Sequence, residues 1–207
     1  MSTATRRKDL ILLVADKDME MSLKGLLPRY QSLGFRPVSF DIFVHPDRDP
    51  GCFHKSHEFL RSFANQYERA LVLLDHEGCG REGRDRSTLE ADVERRLGES
   101  GWQGRAAAVV IAPELEIWVW SDSPQVDLAL RWQETVTLRE WLQGQNLLAK
   151  GASKPANPKR ALEVVRRTMG VPRSPALFFE LAQRVGTDRC IDPAFAKLKG
   201  CLREWFP

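Results

Sequence analysis

The stretch at residues 70–83, ALVLLDHEGCGREG, constrains the fold of this chain more than any other. Its apolar residues run without alternation, the pattern of a strand covered on both faces in a parallel sheet. The run ends at Asp75, His76 and Glu77, and glycines at 78, 80 and 83 then let the backbone turn away. Open α/β sheets bind ligands in the crevice beyond the carboxyl ends of their strands. The spacing therefore sets Asp75 and Glu77 where chemistry is usually done.

Two more continuous runs, DLILLVA at 9–15 and AAAVVIA at 106–112, read as buried strands, and VSFDIFV at 38–44 is a strand with weaker patterning. Between them, apolar residues recur at helical spacing from Met19 to Leu33, with Pro28 predicting a kink and Gly34 a stop. A second helix is expected over 54–69, after a Pro/Asp/Gly segment at 45–51 that reads as loop. Ser87 with Glu90 forms a capping-box signature for a third, running to Glu99. Alternating strands and helices imply an α/β fold, a mostly parallel sheet with right-handed crossover helices. Pro113 opens a short helix through Trp120, and helices then follow without strands at 138–148, 159–169, 175–185 and 193–205. The expected division is an α/β domain over residues 1–130 and a small C-terminal helical extension over 131–207 packed on it.

With 43% hydrophobic and 29% charged residues, the chain lies far from disordered compositions. Its net charge of +3 is unevenly spread: residues 150–207 hold 12 of the 31 Lys/Arg but only 5 of the 28 Asp/Glu. No apolar run is long enough to cross a bilayer and no secretory pattern opens the chain, so a cytoplasmic protein without a membrane partner is expected. The four cysteines form no CxxC pair, which argues for reduced thiols.

Three strand ends deliver carboxylates toward one sheet edge: Asp16 and Asp18, Asp75 and Glu77, Glu114 and Glu116. Hard cations take oxygen ligands, and Mg²⁺ takes one or two carboxylates and completes its shell with water and substrate phosphates. The competing reading is that acids collect at strand ends because they meet loops and cap helices. Lys154, Lys159, Arg160 and Arg166 make a basic tract able to meet a nucleic-acid backbone, or simply a solvated helix face. Residues 78–83 match G-x-G-x-x-G, but the adjacent carboxylates would repel a pyrophosphate. Cys52, His54, His57 and Cys79 offer zinc-type ligands at an unfamiliar spacing, against an ordinary set of loop histidines. Trp118 and Trp120 read as packing anchors.

The segments LLVADKDME at 12–20, LLDHEG at 73–78 and APELEIWVWSD at 112–122 resemble the TOPRIM domain of topoisomerases, primases and related nucleases. Together with NPKRALEVV at 157–165 and SPALFFELA at 174–182, they are similar to a TOPRIM-related bacterial family of anti-phage defence loci, including components of methylation-associated defence systems. The resemblance implies a TOPRIM-like sheet and a Mg²⁺ or Mn²⁺ site drawn from Asp75, Glu77, Asp16 and Glu114. It also implies phosphodiester hydrolysis on DNA or RNA through Asp16, Asp75, Glu77 and Glu116, and partners among other proteins of a defence system. Two positions depart from the family pattern. Ala15 stands where TOPRIM enzymes end their first strand in glutamate, and Glu77 replaces the second aspartate of the central pair. These departures leave open a second expectation, a catalytically inactive TOPRIM-like scaffold or sensor subunit.

Overall fold

The computed structural model describes residues 7–187 and 190–207. Its elements in chain order are β1 (Lys8–Val14), α1 (Lys17–Leu26), α2 (Tyr30–Leu33), β2 (Phe40–Val44), α3 (Arg48–Arg61), β3 (Tyr67–Asp75), α4 (Arg86–Leu97), β4 (Ala106–Ile111), α5 (Pro124–Ala129), α6 (Leu138–Gly144), α7 (Pro158–Thr168), α8 (Pro175–Arg184) and α9 (Pro193–Trp205). The four strands form one all-parallel sheet in the order β2-β1-β3-β4. Leu10 to Val14 of β1 and Ala70 to Leu74 of β3 are buried throughout, because these central strands are covered on both faces.

The chain steps from β1 out to β2, then crosses back past β1 to β3 and on to β4. Right-handed crossovers in opposite directions put α1 on one face and α3 and α4 on the other. The observed packing agrees, with α3 against α4 and α8 of the C-terminal extension against α1. The direction reverses at the β1–β3 pair, so the crevice beyond Val14 and Asp75 is the topological switch point where such sheets take ligands.

Several boundaries depart from the sequence expectations for local reasons. Segment 45–51 is not all loop: α3 already starts at Arg48, since Pro50 lies in the first turn, where its missing N–H costs no hydrogen bond. Tyr67, expected on that helix, instead opens β3. Pro28 does break the first helical segment, as a 3-10 turn at Leu27–Arg29. The N-cap of α4 is Asp85, whose carboxylate accepts from Thr88 N at 3.0 Å, not Ser87, and this frees Glu90 for another use. The short helix α5 follows Ser123, whose hydroxyl caps it; at six residues it is too short to show a helical apolar repeat in the sequence.

One continuous hydrophobic core joins the sheet to the extension: Leu23 and Leu26 of α1, Leu177 and Leu181 of α8, and Phe195, Leu198 and Leu202 of α9 belong to it. The tightest seam is at Gly25, where an added Cβ would sit 2.7 Å from Phe179 O and 2.8 Å from Ala182 Cβ. Gly25→Ala is therefore expected to push α8 off α1 and cost about 1 to 3 kcal/mol, read as a lower urea midpoint with an unchanged slope. Wild-type stability in this variant would mean that the seam is looser than described. No helix of the described residues is long and apolar enough to cross a membrane.

Candidate metal centre

The chain beyond β3 is fastened to the chain beyond β4. His76 N donates to Ile111 O at 2.8 Å and Glu77 N to Pro113 O at 2.9 Å, so Asp75 is held beside the turn that carries Glu114 and Glu116. The Ala112–Pro113 peptide is cis, Glu114 is extended, and a 3-10 turn at Leu115–Trp118 follows. Asp75, Glu114 and Glu116, all buried, each bring one carboxylate oxygen to within 4.8 Å of the others. Two oxygens on one Mg²⁺ lie roughly 3 to 4 Å apart given bonds of about 2.1 Å, so small side-chain rotations suffice to close the group on an ion. Asp75 Oδ1 is buried and has no hydrogen-bond partner among the described residues. A buried carboxylate oxygen without a donor is costly in a metal-free protein and is satisfied by a cation.

The electrostatics point the same way. Burial, then the charges of Asp49, Glu116, Asp16 and Glu114, pushes the Asp75 carboxyl well above the usual carboxylate range. Burial and the neighbouring Glu114 raise Glu116 to about 7. Asp49, absent from the sequence expectations, lies at the start of α3 and accepts from Asp75 N at 2.7 Å through Oδ1; burial raises its pKa too. The signal for it was available, since β2 is a fourth parallel strand whose end also runs into acid. One cation answers these acids: Lys159 at the start of α7 bonds Glu114 Oε2 at 2.9 Å.

The remaining expected residues separate into three groups. Asp16 caps α1, accepting from Met19 N at 2.9 Å; it stays close enough to raise Asp75, Asp49 and Asp18 electrostatically, but lies outside the triad. Glu77 is exposed and does not join the three acids. Asp75 and Glu77 would share a face only if the strand continued, and the chain leaves the sheet after Asp75. Of the basic tract, Lys154 Nζ donates to Ile117 O at 2.8 Å and Lys159 to Glu114, so both brace the acid-bearing turn; Arg160 is exposed and Arg166 half-buried. Tryptophans complete the bracing: Trp120 Nε1 donates to Pro158 O at 3.0 Å, and Trp118 Nε1 to Asp192 Oδ1 at 2.9 Å. They are packing anchors as expected, though Trp118 packs on the extension, edge-on to Phe195 at 5.4 Å.

Two other sequence motifs assemble no ligand site among the described residues. The amides of Gly78 and Gly80 both donate to Glu82 Oε1, at 3.0 and 3.1 Å, so the loop's anion-binding groups are satisfied from within. Cys52, His54, His57 and Cys79 do not assemble a metal-ligand group among the described residues. Cys52 and His54 lie two apart on α3 and point to different sides: the thiol is buried and the imidazole packs edge-on against Phe53 at 4.7 Å.

No protein family, curated protein or solved structure matches this chain, so its chemistry is read from these side chains.

Proposed function

We propose that the protein is a metal-dependent phosphodiesterase of the TOPRIM type, acting on nucleic acid in bacterial anti-phage defence, with Asp75, Glu114 and Glu116 as its metal ligands. The observation that carries this reading is the buried Asp75 oxygen without a donor, on a side chain grouped with two further buried carboxylates at the switch point of a parallel sheet. A divalent ion bound there, Mg²⁺ or Mn²⁺, would supply Lewis-acid polarisation of a phosphoryl oxygen and a water acidic enough to attack. The chain's own part is to hold three acids in place through the His76 and Glu77 amides, to exclude water from Asp75, and to keep Lys159 within reach of the anionic substrate.

Two observations favour a second reading, the catalytically inactive scaffold or sensor subunit of a defence complex. The Lys159 ammonium already bonds Glu114, and Ala15 leaves the end of β1 without a proton-transfer acid. In that reading the acids and Lys159 form a structural ion-pair network, and the working surface contacts another protein. A single experiment separates the two. Calorimetric titration of the wild type with Mg²⁺ and Mn²⁺ is expected to show saturable binding, weakened by at least about tenfold in Asp75→Asn, a nearly isosteric change that removes one charge. Incubation with DNA and RNA should then give cleavage only with metal and only in the wild type. Absence of saturable binding would reject the metal centre; binding without cleavage of any strand would favour the scaffold.

A further inference from the structure

The loop that leaves the sheet after Asp75 carries a second charged feature, set over α3 and α4 and sharing no residue with the triad. His76 Nε2 bonds Arg84 O at 2.7 Å and Arg84 N donates to Arg81 O at 3.0 Å, so the loop is fastened to itself. Arg81 and Arg84 are thereby brought over the two helices, where with Phe53, His54, Asp92 and Arg96 they line an open basin of about 230 Å³. A single water needs roughly 10 to 15 Å³ of such space, so a phosphate group fits with room to spare. Contacts fix how these groups face one another. Arg84 Nη1 bonds Asp92 Oδ2 at 2.5 Å, and Arg96 lies one turn further along α4 on the same side of the helix. The Arg96 guanidinium covers the Phe53 ring at 4.7 Å and donates to Phe53 O at 2.5 Å, and the His54 ring packs edge-on to the same phenyl group.

The charge around this basin does not balance. Its walls hold three guanidiniums against one carboxylate, and that carboxylate pairs with Arg84. Arg81 has no acid partner among the described residues; Arg96 is bonded only to a neutral carbonyl, and its Nε is buried without a hydrogen-bond partner. The neighbouring acids are engaged elsewhere: Glu82 takes the Gly78 and Gly80 amides, Asp85 caps α4, and Glu99 pairs with Arg95 at 2.8 Å. Lys55, a further cation nearby, is neutralised by Asp47. The surplus is felt at His54, whose pKa is lowered by burial first and then by the charges of Arg81, Arg96 and Lys55. Two uncompensated guanidinium forks on one basin match an anion with several oxygens.

We propose that Arg81, Arg84 and Arg96, with His54, form a phosphate-binding site that holds the backbone of a nucleic-acid strand beside the carboxylate centre. The proposal deepens the proposed function and rests on it for nucleic acid as the source of the phosphate; the phosphate site itself rests on the basin alone. The two places are close. Asp49, in the first turn of α3, braces the Asp75 amide, and His54 follows five residues later on the same helix, a rise of about 7.5 Å. A strand crossing the switch point reaches the basin within a few nucleotides, each spanning about 3.4 Å or more.

The test uses the full chain in EDTA at low salt, so that no metal contributes, titrated with inorganic phosphate and with a single-stranded dodecanucleotide that lacks a terminal phosphate. The wild type is expected to bind the strand about tenfold or more tightly than Arg81→Ala/Arg96→Ala, with a salt dependence steeper by about one counterion. Arg61→Ala/Arg184→Ala, which removes two exposed arginines outside the basin, should stay within about twofold of the wild type. Arg96 also covers Phe53, so Arg81→Ala alone, at an exposed side chain without an acid partner, guards against a folding defect: its urea midpoint should be unchanged and its affinity lower by about threefold or more. Tighter binding of the strand than of inorganic phosphate identifies the backbone as the source, and equal binding a free phosphate; both support the phosphate site if the Arg81 variants lose them, and the second overturns the strand. No binding by the wild type, equal affinity in wild type and variants, or an equal loss in the control variant would overturn the site itself. A parallel Mn²⁺ titration of the wild type without phosphate keeps the two readings apart. Absent Mn²⁺ binding with phosphate binding intact fails the metal centre and not the basin, and the reverse fails only the basin.

Discussion

At pH 8 and without divalent metal, Glu116→Gln is expected to be more stable than the wild type by about 3 kcal/mol, and below about pH 4.5 the two should coincide. The Glu116 carboxyl is raised to about 7 by burial and by Glu114, against the partial relief that its own backbone hydrogen bond and Lys159 provide. In the unfolded chain it ionises near the ordinary value of 4.5. Between these values the native state binds more protons than the unfolded state, so stability falls as pH rises, and above 7 the full cost of the buried charge is present. Glutamine carries no such cost. Asp75, raised in the same direction, adds to the decline in both proteins. Asp9 acts elsewhere: despite burial, hydrogen bonds from Arg36 and Ser39 hold it down to about 2, so its stabilisation is complete above about 4 and lost only in stronger acid. Adding Mn²⁺ should reverse the ranking at pH 8, because an ion bound to the ionised triad stabilises only the wild type by mass action. Urea melts at pH 4.5, 6 and 8, with and without metal, measure all of this. A wild type no less stable than Glu116→Gln in metal-free buffer at pH 8 would show that Glu116 is solvated and that the centre is not built as described.

The parts of the fold legible in the sequence are those where burial is two-sided. Residues 9–15, 70–74 and 106–112 show unbroken apolar runs because β1, β3 and β4 each have both faces covered, and the rule that ligands sit beyond strand ends then points to Asp75, Glu114 and Glu116. β2 was less distinct because none of its residues is fully buried: Val44 is exposed, and Phe43 is half-buried against Phe59 and Phe63. Periodicity carries no information on what a charged side chain does once the chain turns. Glu77 has the spacing of a ligand and points to solvent; Lys159 has the setting of a phosphate-binding residue and bonds Glu114; Asp49 sits in a segment dense with turn residues and braces the Asp75 amide. Each depends on contacts between segments distant in sequence.

Glu90 is the strongest case of such a contact, and replacing it by alanine is expected to cost about 3 kcal/mol. β4 pairs with β3 on one side only, so its outer amides would be open to solvent or to another chain. The α4 helix closes that edge with side chains: Glu94 Oε1 accepts from Ala108 N and Glu90 Oε1 from Val110 N, both at 3.0 Å. The match is geometric, since four residues of helix rise about 6 Å and two residues of strand about 6.6 Å. Lys197 of α9 then neutralises both acids, at 3.1 Å from Glu90 and 2.7 Å from Glu94, and Arg86 adds a bond to Glu90 at 2.9 Å. In Glu90→Ala the Val110 amide loses its only side-chain acceptor in a buried setting, and Arg86 and Lys197 lose a buried counter-charge. Glu90→Gln keeps an acceptor oxygen and should cost about 1 kcal/mol. Glu90→Ala/Glu94→Ala exposes two edge amides at once and is expected to self-associate at concentrations where the wild type does not, as an unprotected strand edge does. Urea midpoints and light scattering read the series, and equal stability of Glu90→Ala and Glu90→Gln would remove the amide contacts as the reason for this arrangement.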